Sequence, residues 1–207
     1  MVMSADQEKP ARQAVIGPAP GRLELVRAFV NTLDIEAGAD ELSSPAALTA
    51  WLAERELTGA AQSPATETDL RQAVAMREAL REMLLNHVRG QHPASGSPGS
   101  GAGAASVAEL RSAAAGLATR LAVEDDGTVR TAPAGQGTAY GLSALMLIAA
   151  DAATLGTWAR LKVCSADDCR WAFYDRSPGR SGCWCSMAVC GSRAKSRAFR
   201  RRTAQAG

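Results

Sequence analysis

All five cysteines of the 207-residue chain lie between Lys162 and Arg202, in the stretch KVCSADDCRWAFYDRSPGRSGCWCSMAVCGSRAKSRAFRRR. Four residues separate Cys164 from Cys169, four separate Cys185 from Cys190, and fifteen lie between the two pairs. Two close thiolate pairs joined by one loop supply the four soft ligands of a tetrahedral Zn²⁺ ion, which folds a small segment without a preformed core. The spacing therefore predicts a structural zinc on Cys164, Cys169, Cys185 and Cys190, with Cys183 outside the set. A redox switch and incidental cysteines are the competing readings. Disulfides need an oxidising compartment, and the opening MVMSADQEKPARQAVIGPAP lacks the cationic head and apolar core of a secretory signal. No apolar run approaches the roughly 18 residues of a membrane span; the best, from Leu142 to Ala150, ends at Asp151. The expectation is a cytoplasmic protein with reduced thiols and no membrane partner.

Within this stretch, Trp171, Phe173 and Tyr174 favour a strand, and Ser177-Pro178-Gly179 favours a turn. A small hairpin between the pairs is thus expected to carry the second pair back onto the first. After Cys190 and Gly191, SRAKSRAFRRRTAQ contains alanine and no proline and reads as a helix. Knuckle, hairpin and helix, with the last ligand at the helix start, make a treble-clef-like plan. Charge is concentrated here as well. Residues 161–207 carry ten Lys or Arg against three acids, a net of +7, whereas the remainder is net −5. Arg193, Arg197 and Arg200 follow the i, i+4, i+7 pattern of one helical face, flanked by Lys195 and Arg201. Such a row suits phosphates and guanine edges of DNA. A solvated basic tail that aids solubility is the plain alternative.

The segments CSADDCRWAFYDRS and WCSMAVCGSRAKSRAFRRR resemble the CGNR-type zinc finger, with Cys190, Gly191, Ser192 and Arg193 at the name-giving tetrad. Serine stands at the position of the family's asparagine; it retains the capacity to cap a helix and loses the amide's contacts. In bacterial proteins this finger follows an N-terminal domain called ABATE, and the resemblance implies a stress-induced transcription regulator. It also implies that the family's ligands fall on the same four cysteines. The string FVNTLD, with Asn31 and Thr32, and the segment AMREALREML, with Arg77 and Arg81, resemble ABATE segments. These four residues are the candidates for a small-ligand pocket. Local capping by Asn31 and Thr32, and a salt-bridged solvated face at Arg77, Glu78, Arg81 and Glu82, are the ordinary alternatives.

The fold class expected is α+β: a mostly helical N-terminal domain with a small β-hairpin, then the treble-clef-like finger. Residues 1–20 read as a disordered leader, 21–160 as the ABATE-like domain and 161–207 as the finger. Leu23, Val26, Phe29, Val30 and Leu33 place a helix over 22–33. Ser44-Pro45 starts a second helix, to Glu56. Thr66 and Asp69 open the longest, to Arg89, with Leu70, Val74, Ala75, Leu80, Leu84 and Val88 on its apolar face. The low-complexity run 90–106 reads as a flexible loop, followed by a helix from Ser106 to about Leu117. Leu121 and Val123, then Asp126-Gly127 and Val129, give a hairpin. A helix from near Thr138, rich in Leu and Ala, is expected to be the buried centre and to brace the finger.

No Ser-His-Asp spacing, phosphate loop or dinucleotide fingerprint occurs, and His87 and His92 read as surface positions. The function expected is DNA-binding regulation, with the first domain sensing a small effector and a homodimer as one form of assembly. The alternatives are a finger that docks protein or RNA, and a small-molecule-binding or enzymatic first domain.

Overall fold

The computed structural model describes residues 17–60, 63–90 and 100–206. It is α+β and mostly helical, with three short antiparallel hairpins among the described residues. Helix α1 (Leu23–Val30) buries Leu23, Val26, Phe29 and Val30. It stops three residues short of Leu33 because Thr32 turns its hydroxyl back to the Phe29 carbonyl, at 2.8 Å, and the chain enters a hairpin of β1 (Leu33–Asp34) and β2 (Ala39–Asp40). Helix α2 (Pro45–Glu54) starts as expected, with Ser44 Oγ accepting the Ala47 N–H at 3.1 Å. Helix α3 (Glu67–Arg89) opens on the reciprocal cap of Thr66 and Asp69.

The buried face of α3 is turned from the expected one. Leu80, Leu84 and Val88 are buried, but Ala75 is exposed and Val74 only half-buried, while Ala73, Met76, Arg77 and Arg81 lie inside. Two arginines on the inner stripe mislead a purely apolar periodicity. Helix α4 (Ser100–Ala113) runs antiparallel to α3, with Gln72 bonding the Ala113 carbonyl and Asn86 reaching Ser106. Ser106 is therefore a buried mid-helix residue and not a cap, so the expected loop extends at most to residue 99; residues 91–99 and His92 lie outside the described residues.

Strands β3 (Thr119–Val123) and β4 (Val129–Pro133) pair in the register Leu121↔Thr131 and Val123↔Val129. They bury the alanine face: Ala122 and Ala132 point inward, and Leu121, Val123 and Val129 are exposed. Helix α5 (Gly137–Thr154) is central, burying Leu142, Leu145, Ile148 and Ala152 against α1, α2 and α3, although Leu155 beyond its end is exposed. A 3₁₀ turn at Trp158–Arg160 leads into β5 (Leu161–Val163), which pairs with β6 (Ala172–Tyr174). This hairpin brackets the first cysteine pair. The strand predicted at 171–174 finds its partner upstream, in Leu161–Val163, and not in the loop toward the second pair. A wide turn at Met187–Gly191 runs into α6 (Ser192–Ala206).

Leu161, Val163 and Ala172 belong to the same apolar core as Leu84 and Leu142, so the cysteine-bearing segment is packed onto the helices. The leader expectation also shortens. Ala19 is buried and donates its N–H to Glu24, and Pro18 accepts from Arg176; residues 1–16 lie outside the described residues.

Candidate metal centre and basic helix

The knuckle that carries Cys164 and Cys169 is built by its backbone. Cys164 N–H bonds the Trp171 carbonyl at 2.9 Å, and the N–H groups of Cys169 and Arg170 both reach Ala166 O at 3.0 Å. Arg170 takes the left-handed conformation that closes this turn, with φ of 50°. The Ser165 N–H bonds the Cys183 carbonyl at 2.9 Å and draws the second pair in. Ser186 caps the turn that follows, its hydroxyl accepting from Val189 N–H at 3.3 Å, so that Cys190 lies in the first helical turn. Ser192 does not cap; its hydroxyl donates to Met187 O. Gly191 is required by close approach, since a Cβ there would lie 3.0 Å from the Met187 sulfur and 3.4 Å from Trp184.

The sulfurs of Cys164, Cys169, Cys185 and Cys190 all lie within 4.8 Å of one another. Cys169 and Cys185 are 3.6 Å apart, and Cys185 and Cys190 are 3.7 Å apart. Four sulfurs at about 2.3 Å from a tetrahedral zinc would be separated by about 3.8 Å. Three of the four cysteines are buried, under Trp171, Trp184 and Ala166. Bringing their protons together separates their acidities: hydrogen bonding with Cys164 and Cys185 pulls Cys169 down to about 2, the same contact with Cys169 pushes Cys164 up to about 12, and Cys185 and Cys190 are raised. A set that admits one easy thiolate in isolation needs a cation to hold four. Geometry and donor chemistry fit structural zinc. Cys183 stands outside the set, as expected, and its thiol is raised by burial.

Behind the cluster is a pair that periodicity did not reveal. Lys162, fully buried, donates from Nζ to Asp175 Oδ2 at 2.8 Å, to Gly182 O at 3.1 Å and to Arg180 O. Asp175 also accepts from Ser177 N–H and Gly182 N–H. Burial pushes the Asp175 carboxyl up, but Lys162, Ser177 and Gly182 together hold it down at about 2. A side chain at Gly182 would meet that carboxylate at 2.9 Å. The signal was a lysine between Leu161 and Val163, where a buried strand can hold a charge only if it is paired.

The residues expected to line a ligand pocket are brought together, and their polar groups are spent on protein partners. Asn31 pairs with β6 as a strand would, donating to Ala172 O at 2.9 Å and accepting Ala172 N–H at 2.7 Å. Arg77 grips Asp40 with both Nη atoms and reaches Thr32 Oγ1 at 3.2 Å. Arg81 reaches Val30 O at 2.6 Å and, in the knuckle, Arg170 O at 2.9 Å. All four are buried. His87 is not a surface residue either: its Nδ1 lies 2.8 Å from Leu161 O and its ring meets Trp158 edge-on. Burial lowers its pKa.

Helix α6 carries Arg193, Lys195, Arg197, Arg200, Arg201 and Arg202 and no acid. Arg193 is seated on Glu36 of the β1–β2 turn at 2.8 Å, and Arg197 on Asp168 of the knuckle at 3.3 Å. Lys195, Arg200 and Arg201 are exposed. Arg193, Arg197 and Arg200 do share one side of the helix, lining a groove of about 590 Å³ with Ser192, Ser196 and Val189.

A cysteine cluster that fixes a basic helix onto a helical body defines a zinc-finger protein. Residues 160–203 match the CGNR zinc finger, and residues 23–157 match ABATE, described as "Putative stress-induced transcription regulator". The chain belongs to the ABATE family and carries a CGNR finger after the ABATE segment. No curated protein matches it.

Proposed function

We infer that this protein regulates transcription by binding DNA through α6. The observation that carries the reading is an exposed helix with six cations and no acid, anchored at its start by the cysteine cluster. A polyanion gains most from cations held in a fixed row, because their positioning entropy is already spent. Lys195, Arg200 and Arg201 would meet phosphates first. Arg193 and Arg197 would exchange Glu36 and Asp168 for phosphate or base edges on docking. Zinc supplies the scaffold, and ligands that must stay reduced suit a cytoplasmic protein. An effector would act on the finger through the polar junction of Asn31, Thr32, Arg77 and Arg81.

Exposed Phe199 and Met187 beside the same cations favour a second reading, an acidic apolar protein surface or a single-stranded RNA. Gel-shift titration of the zinc-loaded protein with duplex DNA at several salt concentrations tests the first. Affinity should fall steeply with salt, and Arg200→Ala with Arg201→Ala should reduce the log–log slope by about one for each phosphate no longer neutralised. Equal binding by wild type and variant would remove α6 from the interface.

A further inference from the structure

The geometry points to the outer edge of β3 as a self-association surface, on which a second copy of this chain adds its own β3 antiparallel to make a four-stranded sheet. Three observations converge. First, β4 packs against α5, which leaves β3 as the outer strand of the hairpin. The bonds from Glu124 N–H to Thr128 O and from Ala134 N–H to Ala118 O fix the even-numbered residues of β3 as those that exchange hydrogen bonds with β4. Thr119, Leu121 and Val123 therefore turn their backbone N–H and C=O groups outward, as an unpaired edge does. Second, Leu121 and Val123 are 75% and 72% exposed, and Val129, across from Val123, is 59% exposed. Proline and lysine, which commonly protect such edges, are missing from β3.

Third, the sequence at the edge is complementary to itself. Residues 120–124 read Arg-Leu-Ala-Val-Glu, a palindrome of apolar residues with opposite charges at its ends. A two-fold axis at Ala122 sets Leu121 of one copy against Val123 of the other as hydrogen-bonded pairs, which is the parity that the outward backbone groups demand. The same axis sets Arg120 of each copy against Glu124 of the other. Shifting the axis by one residue to Leu121 keeps the hydrogen-bond parity but puts Arg120 opposite Ala122, so charge selects the register. Glu124 now holds Arg130 at 2.5 Å on the exposed hairpin, and its carboxylate can accept from both guanidiniums. The edge is small beside the roughly 800 Å² per partner of a standard interface, so the dimer forms with rising concentration. It stands or falls independently of DNA binding.

Sedimentation equilibrium of the zinc-loaded full chain over a wide concentration range tests this. Wild type should show a monomer–dimer equilibrium. Leu121→Pro removes an outward N–H without touching the β3–β4 ladder and should abolish association. Arg120→Glu and Glu124→Arg should each weaken self-association about tenfold, since two attractions become two repulsions. Mixed one to one, these variants should form a heterodimer as tight as wild type, because a copy with carboxylates at both positions meets a copy with guanidiniums at both. That rescue cannot come from misfolded chains. A wild type that stays monomeric at its highest soluble concentration, a dimer indifferent to Leu121→Pro, or a mixture no tighter than its components would overturn the proposal.

Discussion

At the scale of single residues, the structure spends charge where the chain must be held without much apolar mass. Lys162 and Asp175 are worth little as a pair set against a hydrophobic substitute, but breaking one side strands the other. Lys162→Met leaves the Asp175 carboxylate buried without its ammonium. It should cost about 3–5 kcal/mol in a urea titration, and Asp175→Asn should cost a similar amount, because one amide oxygen cannot replace the two carboxylate oxygens that separately take the Ser177 and Gly182 N–H groups, and the buried Lys162 ammonium loses its counter-charge. His87 gives a pH signature. Burial holds its pKa below the ordinary 6.5, so the folded state binds its proton less readily than the unfolded chain does. The stability it contributes is complete above pH 6.5 and is lost as pH falls through the lowered value. The stability difference between wild type and His87→Gln should therefore shrink on acidification, measured by thermal melts from pH 8 downward; a pH-independent difference would contradict the buried neutral ring.

At the scale of elements, the cysteine cluster decides whether the C-terminal fifth of the chain is folded. Between Cys164 and α6 the chain buries few large apolar side chains besides Trp171, so ligand bonds replace a core. Chelation of the metal, or Cys185→Ser, should remove the helical circular dichroism of α6 and free thiols to titrate, with one zinc per chain released by metal analysis. The ligand set, the Ser44 and Thr66 caps and the basic helix were legible in the sequence because each depends on residues close together along the chain. The pairing of β5 with β6 was not, because ladder partners are chosen by the core that both strands share, and the aromatic run 171–174 carries no mark of which strand it joins. The β3–β4 hairpin was legible in its turn, whereas the face it buries was not, since Ala122 and Ala132 are small enough to sit against α5 while the larger Leu121 and Val123 stay out. Ser106, expected as a cap, is consumed inside α4 because Asn86 of α3 offers its amide there. Asn31, Arg77 and Arg81 were singled out by the resemblance to ABATE segments, which marks polar positions but not the backbone and side-chain groups they meet.

At the scale of the molecule, Asn31 and Arg81 meet the finger, and the two family segments share one apolar core. Asn31 supplies β6 with the edge partner that a neighbouring strand would otherwise provide, and Arg81 holds the carbonyl of Arg170, whose left-handed backbone closes the knuckle. Leu161 and Val163 are buried in the core shared with Leu84 and Leu142. Zinc binding in the finger must then be linked to the stability of the helices, because any ligand of the folded state alone stabilises all that unfolds with it. Asn31→Ala leaves both backbone groups of Ala172 buried without partners, at about 1–3 kcal/mol each. In zinc-loaded protein carrying Trp51→Phe and Trp158→Phe, which leaves Trp171 and Trp184 of the finger as the fluorescent tryptophans, fluorescence and far-ultraviolet dichroism, to which the helices outside the finger contribute most, should report one coincident thermal transition. With Asn31→Ala added, the fluorescence transition should move to lower temperature and separate from the dichroism transition, and a fragment of residues 160–207 should bind zinc more weakly than the whole chain. Coincident transitions in the variant, or a fragment that binds zinc as tightly as the full protein, would mean that the finger folds by its metal alone and that the helices merely carry it.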